Sequence, residues 1–345
     1  MSVRASTKWL TVCLYYNEPW EEFLLKAVKP YVDIVMQTGI AERFYYQRCW
    51  EFGPHIRLWF KGNINILEGI LKPNIGEHFA HFFDSRPSFR VEPNYPDNFP
   101  NHLKWHPNNS LKYIQLDAPV SNCLNGALGL SICEKHYHAS SKIILQSLSN
   151  KGLRWTYDDA LSTANKLHLS FAFAIGMDLE EAKQFFGQLY NNWETGNFSE
   201  GDSLRSLEHK SHTRRALSFY RIYELQKEGI SSFNLALWDS LENGINLDEG
   251  ADEEWIQTTL NVNIEFGLVQ EARKLKMEEC VLEFSPSIEL SREKEQMWRI
   301  YAQLVRLSNN RLGILNGDEG YLFYSLSKSL EKKKETAKRY ISQQY

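Results

Sequence analysis

A chain of 345 residues is long for one domain and short for three; its 39 basic and 43 acidic residues leave a formal net charge of −4. That balance excludes a general electrostatic pull toward nucleic acid, so no DNA partner is expected. Apolar residues make up 43% of the chain, enough for a sizeable core, yet no run approaches the ~18 apolar residues needed to span a bilayer.

The first element is a strand over residues 9–16 (WLTVCLYY), rich in β-branched and aromatic types. Glu18-Pro19 opens a helix in which Trp20, Phe23, Leu24, Ala27 and Val28 recur at helical spacing; Pro30 is expected to interrupt it, and a second apolar pattern runs to Gly39. A hairpin follows, with strands at 43–50 (RFYYQRCW) and 55–61 (HIRLWFK) around the turn EFGP. Alternation in the second strand places His55, Arg57 and Trp59 on one face and Ile56, Leu58 and Phe60 on the other. Residues 84–110 hold five of the eleven prolines and four aromatic residues, which reads as a long irregular arm.

From Ile132 the pattern turns helical. Helices are expected over 137–150, 156–177, 179–195, 216–228, 255–275 and 292–306, with Thr156 and Asp159 as a capping box. The stretches 196–210 and 243–253 read as polar loops, the lysine-rich C-terminal tail as a solvated helix end, and no internal repeat is evident. The expected fold is α+β: N-terminal strands and a hairpin followed by a largely helical body. We expect a single large domain over residues 1–345, with a strand-rich part at 1–130 carrying the arm and a mainly helical part at 131–345.

The N-terminus lacks the apolar stretch of a secretory signal, and the five scattered cysteines form no CxxC pair; a reducing cytoplasm is the expected compartment, without disulfides. Motifs for nucleotide binding or for common hydrolases are absent: there is no GxGxxG, Walker loop, GxSxG or HExxH. His136 and His138 near Glu134 lack a third ligand at convincing spacing, and no metal is expected. His209, His212, Arg214 and Arg215 form a basic cluster at an expected helix start, where a solvated turn is favoured over an anion site.

Two segments concentrate chemistry. In 45–62 (YYQRCWEFGPHIRLWFKG), His55 and Arg57 share a strand face, with Arg48 on the partner strand expected near them. Histidine moves protons near neutral pH, while arginine, always charged, holds a carboxylate or a developing oxyanion. An ordinary polar strand face is the alternative. In 304–314 (LVRLSNNRLGI), Arg306 and Asn310 lie four residues apart beside Arg311, an arrangement equally expected of a helix-end anchor, and Glu319 is read as a partner for a helix N-terminus.

These segments carry a resemblance. Arg48, Trp50, Gly53, Pro54, His55, Arg57, Leu58 and Phe60 are similar to the R-x-W/D-x-G-P-H-x-R-L-x-F run of the free-standing lantibiotic-dehydratase C-terminal, or thiopeptide-type bacteriocin biosynthesis, domains of bacteria. SICEKHYHASS at 131–141 resembles a mid-chain block of that family, and Asn310–Ile314 with Asp318–Leu330 resembles its closing N-R-L-G and acidic helix. The resemblance implies action on a ribosomally made precursor peptide, leader and core, and a separate dehydratase subunit as a further partner. Three positions depart from the family's glutamate-eliminating pattern: Trp59 replaces a second arginine, Asn122 a further one, and Arg306 a histidine.

The departures direct the expectation toward a pyridine-synthase-like enzyme. Such an enzyme joins two dehydroalanines in a formal aza-[4+2] cyclisation with loss of water and leader peptide. His55, Arg57 and Arg306 are the expected catalytic residues. Tyr45, Tyr46, Arg48, Trp59, Asn310 and Arg311 are expected at the substrate, and the arm at 84–110 is a candidate clamp for the peptide. No cofactor is implied. The alternatives are a split glutamate-eliminating lyase beside a glutamyl-tRNA-using partner, and a non-catalytic peptide-binding subunit of such a complex.

Overall fold

The computed structural model describes residues 7–115, 124–125, 127–198, 202–244, 251–272, 274–277 and 282–342. Asn122 lies outside them. Contacts divide the chain into two compact units, residues 1–120 with 137–155 and residues 121–136 with 156–345.

The first unit begins with strand β1 (Thr7–Tyr15), helix α1 (residues 21–37) and strand β2 (Arg43–Cys49). Strand β3 (His55–Asn63), helix α2 (residues 64–85) and strand β4 (Ser110–Ile114) follow. All pairings are antiparallel and the strand order is β2-β3-β1-β4. This is the β-α-β-β-α-β arrangement of ferredoxin-like folds, two β-α-β halves related by internal symmetry. A structural repeat is therefore present where none was evident in the sequence. Its trace is small: each helix contains a five-residue π-turn, Leu24–Val28 and Leu67–Leu71, followed directly by Lys-Pro. Pro30 accordingly does not interrupt α1. Proline lacks an N–H and its ring crowds the preceding turn, and a widened π-turn just before it accommodates both defects.

Both helices cover one face of the sheet. Leu10, Val12, Leu14, Phe44, Tyr46, Ile56, Leu58 and Phe60 project from the strands into a core shared with Phe23, Val28, Val32, Leu71, Ile75 and Phe79. Edge strand β2 is covered by helix α3 (Ala127–Lys151). Ser141 Oγ accepts from the Tyr46 amide at 3.3 Å, and His138 Nδ1 lies 3.0 Å from the Phe44 carbonyl oxygen. Spending these edge groups on side chains removes a template for pairing with another chain.

The second unit is helical, comprising α4 (Tyr157–Ala174), α5 (Leu179–Glu194), α6 (Asp202–Glu242), α7 (Ala251–Glu271), α8 (Arg292–Leu312) and α9 (Asn316–Ser342). The two-residue strands β5 (Leu124–Asn125) and β6 (Lys276–Met277) pair antiparallel. The Thr156–Asp159 capping box opens α4 as expected. Helix α6 begins well before the expected start and absorbs 202–210, so His209 and His212 sit inside it rather than at its beginning. Their ring nitrogens face the Glu194 and Trp193 carbonyl oxygens at 2.7 and 2.6 Å, capping the C-terminus of α5. Helix α9 packs on α5 and α6, and Gly320 makes that possible. A Cβ at this position would lie 2.4 Å from the indole of fully buried Trp193. Among the described residues no helix is long and apolar enough to cross a membrane.

Candidate functional site

The sheet face opposite the core carries the candidate chemistry of the first unit. Register sets its membership: Cys49 faces His55, Gln47 faces Arg57, Tyr45 faces Trp59, and Cys13 lies across from Arg57 on the other side. Tyr45 thus joins the face, stacked on Trp59 at 4.6 Å with Trp9 edge-on at 5.0 Å. Tyr46 and Arg48 do not. Their partners are Leu58 and Ile56, so Tyr46 belongs to the apolar core; Arg48 instead pairs with Glu21 at 2.8 Å and lies over the Trp20 ring. Both therefore stand off the face that carries His55 and Arg57.

His55 is 1% exposed. Its Nδ1 lies 2.9 Å from the Gly53 carbonyl oxygen, so that nitrogen carries the proton and donates. Its Nε2 keeps the lone pair, facing Arg57 Nη2 at 3.4 Å. Burial pushes the ring down to about 4, and it stands neutral at neutral pH. Tyr15 packs on His55 at 4.8 Å, and burial raises its pKa, keeping the phenol protonated. Burial likewise keeps Cys13 a thiol and pushes Cys49 up to about 12, so neither is a ready nucleophile.

Arg57 gives one Nη to Glu51 at 2.8 Å and lies over the Trp59 ring. Its Nε and the Trp59 indole Nε1 are buried and meet no acceptor among the described residues. Two buried N–H donors on alternate residues of one strand face are costly unless an acceptor arrives, and an amide or carboxylate oxygen is the natural one.

The arm between α2 and β4 is irregular but fastened. The Ser88 amide donates to Asn109 Oδ1 at 2.8 Å, and Arg90 binds Glu92 and the His106 carbonyl oxygen. The His106 amide donates to Phe52, and its ring packs on Tyr15 at 4.8 Å. Gly53 has φ +106, and a Cβ there would lie 2.9 Å from Arg90 Nη1, so the hairpin turn and the arm approach as only glycine allows.

The second unit holds Arg306 within a hydrogen-bonded chain across three helices. Glu319 Oε2 accepts from Arg306 Nε at 3.2 Å, and Oε1 accepts from Asn309 Nδ2 at 3.1 Å. Asn309 Oδ1 faces His168 Nε2 at 2.7 Å, which assigns the proton to that nitrogen. Burial pushes His168 down to about 4. The Arg306 guanidinium also lies 4.0 Å from the centroid of the Phe198 ring, a cation–π contact that fixes its plane. Asn310 and Arg311 sit in the last turn of α8. The Asn310 carbonyl accepts from Gly313, a left-handed cap at φ 80, and Arg311 is fully buried.

Metal ligation finds no cluster: among the described residues no three His, Cys, Asp or Glu side chains come together for it. His136 is buried between Phe171 and Trp255, and His138 is spent on the backbone of β2.

A family model for the lantibiotic biosynthesis dehydratase C-terminal domain matches residues 9–330. The chain belongs to that family. No curated protein matches the sequence. Among solved structures it is similar to TbtD, a pyridine synthase from thiomuracin biosynthesis, at TM-score 0.67 and 16% identity, covering 94% of this chain and 98% of that one. TsrL aligns at TM-score 0.61 and 16% identity over 96% of both chains. MibB, a tRNA-dependent lantibiotic dehydratase from Microbispora sp. 107891, aligns at TM-score 0.58 and 15% identity, covering 98% of this chain and 29% of MibB. At such identities the likeness speaks for the fold.

Within this lantibiotic dehydratase C-terminal fold, His55, Arg57, Trp59 and Tyr45 share one sheet face, and Arg306 anchors the helical cluster. Sequence reading missed Tyr15, Cys13, Cys49 and His106 on that face, and Asn309, His168 and Phe198 around Arg306. The register of β1 and β2 against β3 points to the first three; nothing local in the sequence singles out Phe198.

Proposed function

We propose that this chain is a peptide-cyclising enzyme of the pyridine-synthase type. Its substrate is a ribosomally made precursor peptide bearing two dehydroalanines, supplied by a separate dehydratase. One new carbon–carbon bond joins the two methylene carbons, and a second joins an iminol-form amide carbon to the other α-carbon. The hydroxyl then departs as water, and the α-nitrogen leaves with the leader peptide.

The observation that carries this reading is Arg306, held at Nε by Glu319 and covered by Phe198. It stands where the family's eliminating pattern has a histidine. A guanidinium stays charged at any working pH and serves as a donor to oxygen, not as a base. The donors Arg57 Nε and Trp59 Nε1 suit an amide oxygen whose iminol form they favour, and neutral His55 offers Nε2 as an acceptor for the amide proton. Gathering two distant alkenes is itself a large share of the work, since proximity replaces a costly loss of freedom. The arm at 84–110 is the candidate clamp for the peptide.

His55 beside Arg57 also suits glutamate elimination, a base next to a carboxylate-binding cation. Mass spectrometry separates the two. A synthetic leader-bearing peptide with two dehydroalanines should lose water and its leader on incubation. An unchanged peptide, with glutamate lost from a glutamylated-serine peptide, overturns the proposal.

A further inference from the structure

The helical unit contains a cavity of about 450 Å³ walled by α4, α6 and α9, sharing no residue with the cluster around Arg306. One face of α4 supplies Asp158, Leu161, Ser162 and Asn165 at helical spacing, so a carboxylate, a hydroxyl and a carboxamide follow each other along one wall. Phe233 of α6, 46% exposed, and Tyr321 and Leu322 of α9 add aromatic and apolar surface.

Three lining side chains donate to other side chains of the protein. Asn165 Nδ2 donates to Asn234 Oδ1, and Asn234 Nδ2 donates to Ser329 Oγ at 2.7 Å. The Tyr321 hydroxyl donates to Gln226 Oε1 at 2.8 Å. The Asn165, Asn234 and Tyr321 donors are thus spent inside the protein. The Asp158 carboxylate and the Asn165 side-chain oxygen take no hydrogen bond from a described residue. Among the described residues lining the cavity, Asp158 carries the one carboxyl group, and no Lys, Arg or His joins it.

An anion meets no donor charge here, and a wholly apolar ligand would cover acceptors without satisfying them. An ammonium or guanidinium on an apolar body satisfies both the carboxylate and the rings. We propose that this cavity binds an organic cation of that kind, supplied either by a basic side chain of a peptide or by a free amine.

Isothermal titration of the full chain tests it with 4-phenylbutylamine, the neutral 4-phenylbutan-1-ol, and the peptides acetyl-Leu-Lys-Leu-amide and acetyl-Leu-Gln-Leu-amide. The amine should bind about three- to fivefold tighter than the alcohol, the scale of one ion pair to the exposed Asp158. Asp158→Asn should erase that preference. Gly229 lines the same space, and a Cβ there meets nothing within 4 Å. Gly229→Leu should therefore fill the cavity and abolish binding of the amine with the melting temperature unchanged or higher, because leucine favours a helix over glycine. A lysine peptide that outbinds both the free amine and its glutamine counterpart identifies a peptide side chain as the source; the reverse identifies a free amine. Equal binding of amine and alcohol, amine binding that survives Gly229→Leu, or no binding of any cation overturns the proposal.

Discussion

Glu319 holds Arg306 by its Nε at 3.2 Å, and the two Nη groups of Arg306 meet no hydrogen-bond acceptor among the described residues, the guanidinium lying over Phe198. The carboxylate is 4% exposed and also binds Asn309, so the guanidinium is aimed by a side chain that is itself fixed. Glu319→Gln keeps the shape and the acceptor for Asn309 but removes the charge. The expected outcome is at least a ~10-fold loss in turnover with a stability loss of about 1–3 kcal/mol. Steady-state kinetics and urea unfolding measure the two separately; full turnover in Glu319→Gln would remove Glu319 from any positioning role.

Arg57 is mostly buried, so Arg57→Ala mixes lost chemistry with a cavity. Arg57→Met supplies similar length without donors, and a buried cation replaced by an apolar chain is often tolerated. Turnover should fall by ~100-fold, the scale of one lost oxyanion donor, with circular dichroism unchanged. Retained activity in a folded Arg57→Met protein would return Arg57 to a structural role.

Acid should destabilise the fold well above the carboxylate range. His55 and His168 are held neutral, each pushed down to about 4 by burial. An unfolded histidine takes its proton near 6.5, so between pH 6.5 and 4 the unfolded state binds more protons and stability falls as pH falls. The loss is up to about 3 kcal/mol for each ring over that window. Urea midpoints at pH 7, 6 and 5 check the direction, and a midpoint that does not move contradicts it. His168→Gln, which retains a donor for Asn309, should flatten the profile.

The hairpin shows where sequence reading stops. Alternation places His55, Arg57 and Trp59 together, because the period of a strand is two. A strand ending at Trp50 would pair Trp50 with His55 and bring Tyr46 and Arg48 to the same face. The observed pair is Cys49 with His55, after a turn in which Phe52 and Gly53 take φ 58 and 106. One residue of register exchanges every side chain between the faces. The Arg306 cluster was only partly legible for another reason. His168, Asn309 and Glu319 come from three helices, and tertiary packing alone joins them. The internal repeat stayed hidden because it survives as two Lys-Pro steps after π-turns rather than as matching residues.

Gly320 is the point at which α9 can approach Trp193. Gly320→Ala should cost about 1–3 kcal/mol, since the indole is fully buried and cannot step aside. Thermal melting checks this. An unchanged melting temperature would mean that α9 can shift without penalty.

Wild type and Arg306→His compared by mass spectrometry, on one peptide with paired dehydroalanines and one with glutamylated serine, test the account most directly. A histidine there is shorter and mostly neutral at pH 7, so it supplies a base where the wild type has a fixed cation. The wild type should form the ring with loss of water and leader, Arg306→His should form less of it, and neither should release glutamate. Faster glutamate loss by Arg306→His, with no ring formed by either protein, would contradict it.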